Sequence, residues 1–454
     1  MTRELVLSRR RAGVLLPASS LQHERGAFGD GARRFIDWLA DAGFTVWQLL
    51  PLVPVDAGGS PYWARSDRAG NTDLLDMDAP DPGGDSDFDS WRAEQAGWLD
   101  DYLLFEALAE EHGGAAWWQW PEPLRDRSRT ALAVAARRLA APMRARARLQ
   151  WRFDAQWRAL REHAGARGVR IFGDLPIYVA PDSVATWASR DQFQLDAQGR
   201  SLAVAGVPPD YFAVDGQLWG NPLYDWEAQQ RDGFSFWLRR LQLQAERFDL
   251  LRIDHFRALE AYWAVAADAA TARDGVWREA PGHELLKAVK LGLPQLELVA
   301  EDLGVITPAV TALRRAFQLP GMRVLQFGFD GDPANTHLPH QHETDAIVYT
   351  GTHDNDTTVG WFDSLPQASR DLVRRYFGRG DHEIPDAMVR AAMASVGCLA
   401  MLPMQDLLHL GNEARLNRPG TVSGNWSWRL PLESLTAELA TRYRDLIHLH
   451  NRSG

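Results

Sequence analysis

The 454-residue sequence predicts an α/β fold, a (β/α)8 barrel of the TIM type, from three observations. Eight short apolar runs bounded by turn residues recur along the chain, and most are separated by stretches with helical spacing. Alternating strands and helices favour a parallel sheet, and eight strands favour its closure into a barrel. A doubly wound open sheet is the alternative, but the sequence contains neither a dinucleotide-binding glycine motif nor a Walker A motif.

The predicted barrel strands follow one another at uneven intervals. In chain order they are Gly13–Leu16, Val46–Leu50, Val169–Phe172, Leu250–Ile253, Leu296–Val299, Val324–Phe327, Ala346–Tyr349 and Cys398–Leu402. Helical spacing is clearest at Gly31–Ala40 and at Gly233–Leu241, which leads into the fourth run. These segments match the crossover helices that parallel strands require between them.

Two gaps between the runs are longer than a crossover helix needs. The first predicts an inserted, largely helical subdomain at 53–168, with helical patterns at Trp98–Glu111 and Ser128–Leu149. The second predicts an inserted loop region at 174–232. We therefore expect one catalytic barrel over residues 1–454, with its main insertions after the second and third strands.

The composition argues against several classes of function. There are 49 basic and 60 acidic residues, and an acidic chain without a basic block is a poor candidate for binding nucleic acid or an anionic membrane. The single cysteine, Cys398, rules out an intramolecular disulfide and a Cys-based metal site. No segment reaches the roughly 18 apolar residues of a membrane span. The sequence thus predicts a cytoplasmic protein without nucleic-acid or membrane partners.

Three of the predicted strands end in an acidic side chain. Asp254 follows the fourth strand, Glu301 the fifth and Asp354 the seventh. Barrel enzymes form their active sites at the C-terminal ends of the strands, so we expect these groups to face one cavity. Carboxyl groups held close together have pKa values pushed apart. Glycoside cleavage uses this arrangement, because one carboxylate attacks the anomeric carbon while a protonated second one supplies a proton to the leaving oxygen.

Arg252 supports this interpretation. It stands two positions before Asp254 and therefore on the same face of the strand, where its guanidinium would keep Asp254 ionised. Acids at strand ends also act as helix N-caps or solvated loop charges, and clusters of Asp, Glu and His also bind metals. This cluster lacks the close His pairs typical of zinc or iron sites, so we expect neither a metal nor a cofactor.

Long sequence motifs surround these residues and extend along the chain. They are Gly13–Ser20, Trp47–Leu52, Ser60–Tyr62, Ala69–Asn71, Gly173–Tyr178, Ala205–Phe212, Gly216–Pro222, Arg252–Arg257, Ala300–Gly304, Tyr349–Asp356, Pro403–Asp406, Asn417–Thr421 and Asn425–Trp426. In this order they resemble the 4-α-glucanotransferases, also called amylomaltases or disproportionating enzymes, of the α-amylase-like barrel clan. The resemblance covers the chain from Arg11 to about Arg429.

The resemblance implies roles for the residues at matching positions. Asp254 is expected to be the nucleophile, Glu301 the general acid/base, and Asp354 the third acid, which binds hydroxyls of the distorted sugar. The segment 205–221, within the second insertion, is expected to fold over the cleft. The other residues expected to contact glucan are Arg252, His353, His255, Ser60, Tyr62, Asp210, Tyr211, Phe212, Trp219, Asp330 and Asn425.

The resemblance also implies a reaction. A retaining 4-α-glucanotransferase moves α-1,4-glucan segments from donor to acceptor malto-oligosaccharides or glucose by double displacement, here as a monomer or weak homodimer. The chain departs from the family pattern at Ala258, Ala213 and Thr72, and none of these changes removes a catalytic group. Two other hypotheses are a retaining α-glucan hydrolase on the same barrel and a non-catalytic glucan-binding protein.

Overall fold

The computed structural model describes residues 5–22, 26–56, 58–209, 214–421 and 423–454. Within these residues the strands are β1 (Arg11–Leu15), β2 (Val46–Gln48), β3 (Arg170–Leu175), β4 (Ala203–Val207), β5 (Gln217–Pro222), β6 (Leu250–Ile253), β7 (Ala261–Ala266), β8 (Val276–Glu279), β9 (Glu297–Ala300), β10 (Gly321–Val324), β11 (Ala346–Tyr349) and β12 (Leu399–Pro403). The α-helices are α1 (Asp30–Asp41), α2 (Asp85–Glu111), α3 (Glu122–Arg125), α4 (Arg129–Arg138), α5 (Ala140–Ala166), α6 (Val184–Ala188), α7 (Trp226–Arg231), α8 (Ser235–Arg247), α9 (Gly282–Gly292), α10 (Pro308–Ala316), α11 (Thr358–Ser364), α12 (Gln367–Phe377), α13 (Ile384–Ala394), α14 (Met404–Leu407) and α15 (Ala437–Leu449).

Eight parallel strands form the main sheet, in the order β10-β11-β12-β1-β2-β3-β6-β9. The outer strands β9 and β10 meet where the N–H of Ala300 donates to the carbonyl oxygen of Pro320 over 2.9 Å, so the ring is nearly closed. Buried apolar side chains from the strands, such as Leu15, Val299 and Met401, pack together in one cluster, as expected for a barrel interior. The arrangement confirms the predicted (β/α)8 barrel.

The predicted position of the sixth strand is wrong. The apolar run Val324–Phe327 predicted it, but β10 runs from Gly321 to Val324, and Leu325–Gly328 form a 3-10 turn. Leu325 is buried against the core, so the apolar pattern continues beyond the strand. Arg323 places a polar side chain inside the strand, so the apolar pattern does not show that the strand begins at Gly321.

A group of helices stands between β2 and β3. The long helices α2 and α5 pack against each other and, with neighbouring segments, enclose their own apolar core, which includes Trp117, Trp151 and Trp187. Although α2 and α5 each have 27 residues, no helix in the described part of the chain is both long and apolar enough to cross a membrane.

A second sheet, which the sequence did not predict, stands beside the barrel. Its strands pair antiparallel in the order β5-β4-β7-β8, so segments before and after β6 are joined in one layer. The sheet matters for function because β5 carries Trp219 to the open end of the barrel.

Candidate active site

A cavity of about 750 Å³ opens at the C-terminal end of the barrel. Its lining comes from the residues after β2, β3, β6, β9 and β11, from β5, and from residues 417–421, 425 and 426. The three predicted carboxylates, Asp254, Glu301 and Asp354, all line this cavity. The strand ends therefore bring together acidic groups that are up to 100 positions apart in the sequence.

Asp254 directly follows β6 and is tied to the barrel by its backbone, whose N–H donates to the carbonyl oxygen of Leu175 over 3.0 Å. Arg252 Nη2 donates to Asp254 Oδ1 over 2.7 Å, as their shared strand face predicts. Burial raises the pKa of Asp254 to about 7, and the Arg252 guanidinium opposes this rise. The ion pair thus favours the ionised form of Asp254.

Glu301 directly follows β9 and is buried, with 8% of its surface exposed. Its Oε1 accepts a hydrogen bond from the N–H of Leu303 over 3.1 Å, and it forms no ion pair with any described residue. Burial raises the pKa of Glu301 well above its usual range; the charge of Arg252 opposes this rise, and the charge of Asp254 adds to it. The surroundings of Glu301 therefore favour its protonated form.

Asp174 is a site residue that sequence reasoning missed. Its side chain is fully buried, and it accepts hydrogen bonds from Arg252 Nη1 at 2.7 and 2.6 Å and from the Tyr62 hydroxyl at 2.6 Å. The predicted third strand ended at Phe172, whereas β3 extends to Leu175 and pairs Asp174 with Arg252. Asp174 thus positions the guanidinium that holds Asp254.

Asp354 lies in the turn after β11, and its side chain is about half exposed. Its Oδ1 accepts a hydrogen bond from Asn417 Nδ2 over 2.6 Å, and its backbone oxygen accepts from Arg415 Nη2 over 2.8 Å. Asn417 also lines the cavity; it belongs to the motif Asn417–Thr421, but no residue pattern assigns it a role. The carboxylate is therefore oriented by a segment more than 60 positions away.

Three rings stand together at one wall of the cavity. The imidazole of His353 stacks on Tyr62 with centroids 5.3 Å apart, and its Nε2 lies 3.0 Å from the Tyr62 hydroxyl oxygen. Trp426, also missed as a site residue, lies 6.2 Å from Tyr62 and 6.1 Å from His353. Burial lowers the pKa of His353, so the ring is neutral near pH 7. This wall presents aromatic surface and one polar edge, which suits a sugar ring.

His255 and Trp219 form another part of the lining. His255 has a left-handed backbone conformation, with φ 48°, and its ring meets that of Trp219 edge to face at 4.6 Å. Burial lowers the pKa of His255 to about 3, which keeps it uncharged beside the nucleophile candidate. Both residues line the cavity.

The remaining predicted contact residues differ in their positions. Ser60 and Asn425 both line the cavity. The side-chain oxygen of Asn425 also accepts a hydrogen bond from the N–H of Arg418 over 2.9 Å. Asp330 does not line it, because it lies exposed in the turn after β10, where its Oδ2 accepts from Asn335 Nδ2. Three further predicted residues, Asp210, Tyr211 and Phe212, lie outside the described residues.

An acid held by an arginine, a buried acid and aromatic walls at the open end of a (β/α)8 barrel define the class of enzymes that act on glycosidic bonds. The sequence profile described as 4-alpha-glucanotransferase matches residues 16–83 and 79–434. The chain belongs to this family and is an enzyme that transfers α-glucan segments. The hydrolase alternative is not favoured.

Individual relatives agree with the family assignment. The 4-alpha-glucanotransferase of Thermus thermophilus is 43% identical over 98% of this chain and 99% of its own length. That of Synechocystis sp. is 41% identical over 98% and 99%. Among solved structures, the amylomaltase from Streptococcus agalactiae in complex with acarbose is 33% identical, with a TM-score of 0.93, and covers 98% of this chain and 100% of its own.

Proposed function

We propose that the chain transfers α-1,4-glucan segments with retention, by a double displacement in which Asp254 is the nucleophile and Glu301 the general acid/base. The observation that carries this proposal is the contrast between two carboxyl groups lining one cavity. Asp254 is ion-paired with Arg252, whereas Glu301 is buried without an ion pair among the described residues. The first arrangement favours the ionised state that a nucleophile needs, and the second favours the protonated state that an acid needs.

In the first step, Glu301 gives its proton to the glycosidic oxygen while Asp254 attacks C1. The bond between C1 and this oxygen breaks, the leaving glucan keeps the proton, and a β-linked glycosyl ester forms on Asp254. Because Arg252 holds Oδ1, we assign the attack to Oδ2, which has no partner among the described residues. Asp354, oriented by Asn417, binds hydroxyls of the reacting sugar.

In the second step, Glu301 is ionised and removes the proton from the 4-hydroxyl of an incoming sugar. This oxygen attacks C1, the ester bond to Asp254 breaks, and the α configuration is restored. Donor and acceptor are α-1,4-glucans or malto-oligosaccharides, with glucose as the smallest acceptor. The neutral rings of Tyr62, His353 and Trp426 support this choice, because they offer apolar faces to sugar rings without introducing charge.

A sugar must reach the ester before water does. The segment 205–221 contributes Trp219 to the cavity, and we infer that the segment covers the bound sugar and limits the entry of water.

We treat 53–168 and 174–232 as insertions in one catalytic barrel. The separate apolar core beneath α2 and α5 supports the first, and the position of β4 and β5 beside the cavity supports the second. We further propose a cytoplasmic monomer or weak homodimer.

Azide and α-maltosyl fluoride test the two roles, because fluoride leaves without acid assistance. Glu301→Ala should still form the glycosyl ester, and azide should release it as α-maltosyl azide. Asp254→Ala lacks the nucleophile, so azide should attack directly and give the β-azide. The same anomer from both variants would contradict the assignment.

Maltotriose tests transfer itself. The unaltered enzyme should convert it into glucose and longer malto-oligosaccharides, separated by chromatography. If glucose and maltose were the only products, water would be the acceptor, and the transfer proposal would be wrong for this chain.

A further inference from the structure

A second cavity, of about 240 Å³, lies among α2, α5 and α8, and none of its lining residues lines the active-site cavity. Residues at helical spacing on α2 and α5 form its walls. Trp91, Gln95 and Trp98 follow one another on α2 at intervals of four and three residues, which places them on one face. Phe153 and Trp157 do the same on α5.

One wall of this cavity is aromatic. Trp91 is buried and its indole N–H donates to Asp154 Oδ2 over 3.1 Å, whereas Trp98 is half-buried and its indole N–H donates to Gln95 Oε1 over 2.9 Å. These bonds fix the two indoles, and Trp98 retains exposed ring surface. A fixed indole at a cavity mouth is a surface on which an apolar face of a ligand can stack.

Arg247 is the unusual group in this cavity. It is 92% buried, since only 8% of its surface is exposed, and among the described residues its guanidinium has no hydrogen bond or ion pair. Its Cζ lies 5.5 Å from the centroid of the Phe153 ring. Burial lowers the pKa of Arg247 to about 10. The carboxylates of Asp154 and Glu246 act on Arg247 through their charges, without a hydrogen bond, so the guanidinium keeps its donors for a ligand.

The other charges determine the kind of ligand. Arg158 is paired with Asp154 at 2.6 Å, and Arg161 with Asp249 at 3.1 Å. Glu246 also lines the cavity, and its carboxylate, like the guanidinium of Arg247, forms no ion pair or hydrogen bond with a described residue. The charges of Arg247 and Glu246 act on each other, but both groups keep their hydrogen-bonding capacity for a ligand. A neutral polyol can accept from the guanidinium and donate to the carboxylate, whereas a phosphate would be repelled by Glu246.

We propose that this cavity is a second, non-catalytic α-glucan site that binds one or two sugar units at a chain end. An indole platform with a guanidinium and a carboxylate provides the three contacts that a sugar ring uses, namely an apolar face, acceptors and donors. The volume lies below the range of about 300–1,000 Å³ usual for ligand pockets, which favours a chain end over a long segment. That the sugar is an α-glucan rests on the proposed function.

Maltotriose binding tests the proposal in a Glu301→Gln background, where turnover is blocked. Calorimetry should detect two sites per chain. Adding Arg247→Met should weaken the second by about tenfold or more, because the ligand loses a charged hydrogen-bond donor. Arg239→Met, an exposed arginine on the same helix, is the matched control and should leave both sites intact. A single site in the background enzyme would overturn the proposal.

Glu246→Gln provides a second variant in case Arg247→Met fails to fold, since Glu246 is exposed. It should also weaken the second site, whereas Glu227→Gln on α7 should not.

Hydrogen exchange then locates the binding. Maltotriose should protect 91–98 and 153–161 as well as 417–426, and Arg247→Met should abolish only the first two. Protection limited to 417–426, or a site that takes inorganic phosphate in place of maltotriose, would overturn the inference. Loss of protection only at 417–426 would instead contradict the proposed function.

Discussion

The interaction of Asp174 with Arg252 allows a stringent test of the proposed mechanism, because Asp174 touches no substrate in it. Asp174→Asn removes one of the two carboxylates that hold the Arg252 guanidinium and weakens the bond to Tyr62. A hydrogen bond to a charged group contributes about 1.5–3 kcal/mol, so we expect kcat/KM to fall by about 100-fold, a factor that corresponds to about 2.7 kcal/mol.

The pH profile separates this role from a merely structural one. The charge of Asp174 raises the pKa of Asp254, so removing it should lower that pKa. The acidic limb of kcat/KM, which reports ionisation of the nucleophile, should then move to lower pH. Asp406→Asn is the control, since Asp406 is equally buried and bonded to Thr350 and Thr358. It should lower the Tm without moving this limb. An unmoved limb in Asp174→Asn, or an unchanged kcat/KM, would refute the reasoning.

Three further predictions concern single residues. Asn417→Ala removes the hydrogen bond to Asp354 and should lower kcat/KM on maltotriose by about tenfold, whereas an unchanged value would show that Asp354 needs no orienting group. Gly173→Ala should destabilise the fold by about 1–3 kcal/mol in denaturant titrations, because the added Cβ would lie 2.3 Å from the ring of Phe248. Gly165→Ala in α5, with nothing within 4 Å, should be neutral or stabilising. The pKa of Glu301 is raised in the folded protein. Above about pH 4.3 the unfolded chain therefore releases a proton that the folded state still binds. The free energy of unfolding then falls as the pH rises toward the folded pKa. Glu301→Gln should therefore raise the Tm at pH 8 more than at pH 4, and an equal change at both would contradict this sign.

Local patterns were sufficient to predict the barrel and the acidic strand ends. Each buried parallel strand is a short apolar run, and the rule that barrel sites form at C-terminal strand ends then placed Asp254, Glu301 and Asp354 together. The same-face rule predicted the Arg252–Asp254 pair.

Other features depend on contacts that no local pattern shows. Asp174 was missed because the apolar run stops at Phe172, whereas the hydrogen-bonded ladder continues to Leu175. The second sheet was missed because its strand β8 is exposed along its whole length and pairs with β7 only through the tertiary fold. The contact of Asn417 with Asp354 joins two loops and has no periodic signature.

The glycosyl ester on Asp254 is the central claim, and trapping it is the most direct test. The Glu301→Gln variant should accept an α-maltotriosyl fluoride that lacks the terminal 4-hydroxyl, form the ester, and then stall, because no base activates an acceptor. After an acid quench and peptic digestion, mass spectrometry should find one maltotriosyl group on the peptide that contains Asp254. An unmodified peptide there, with the sugar on Asp354 or on no residue, would contradict the mechanism.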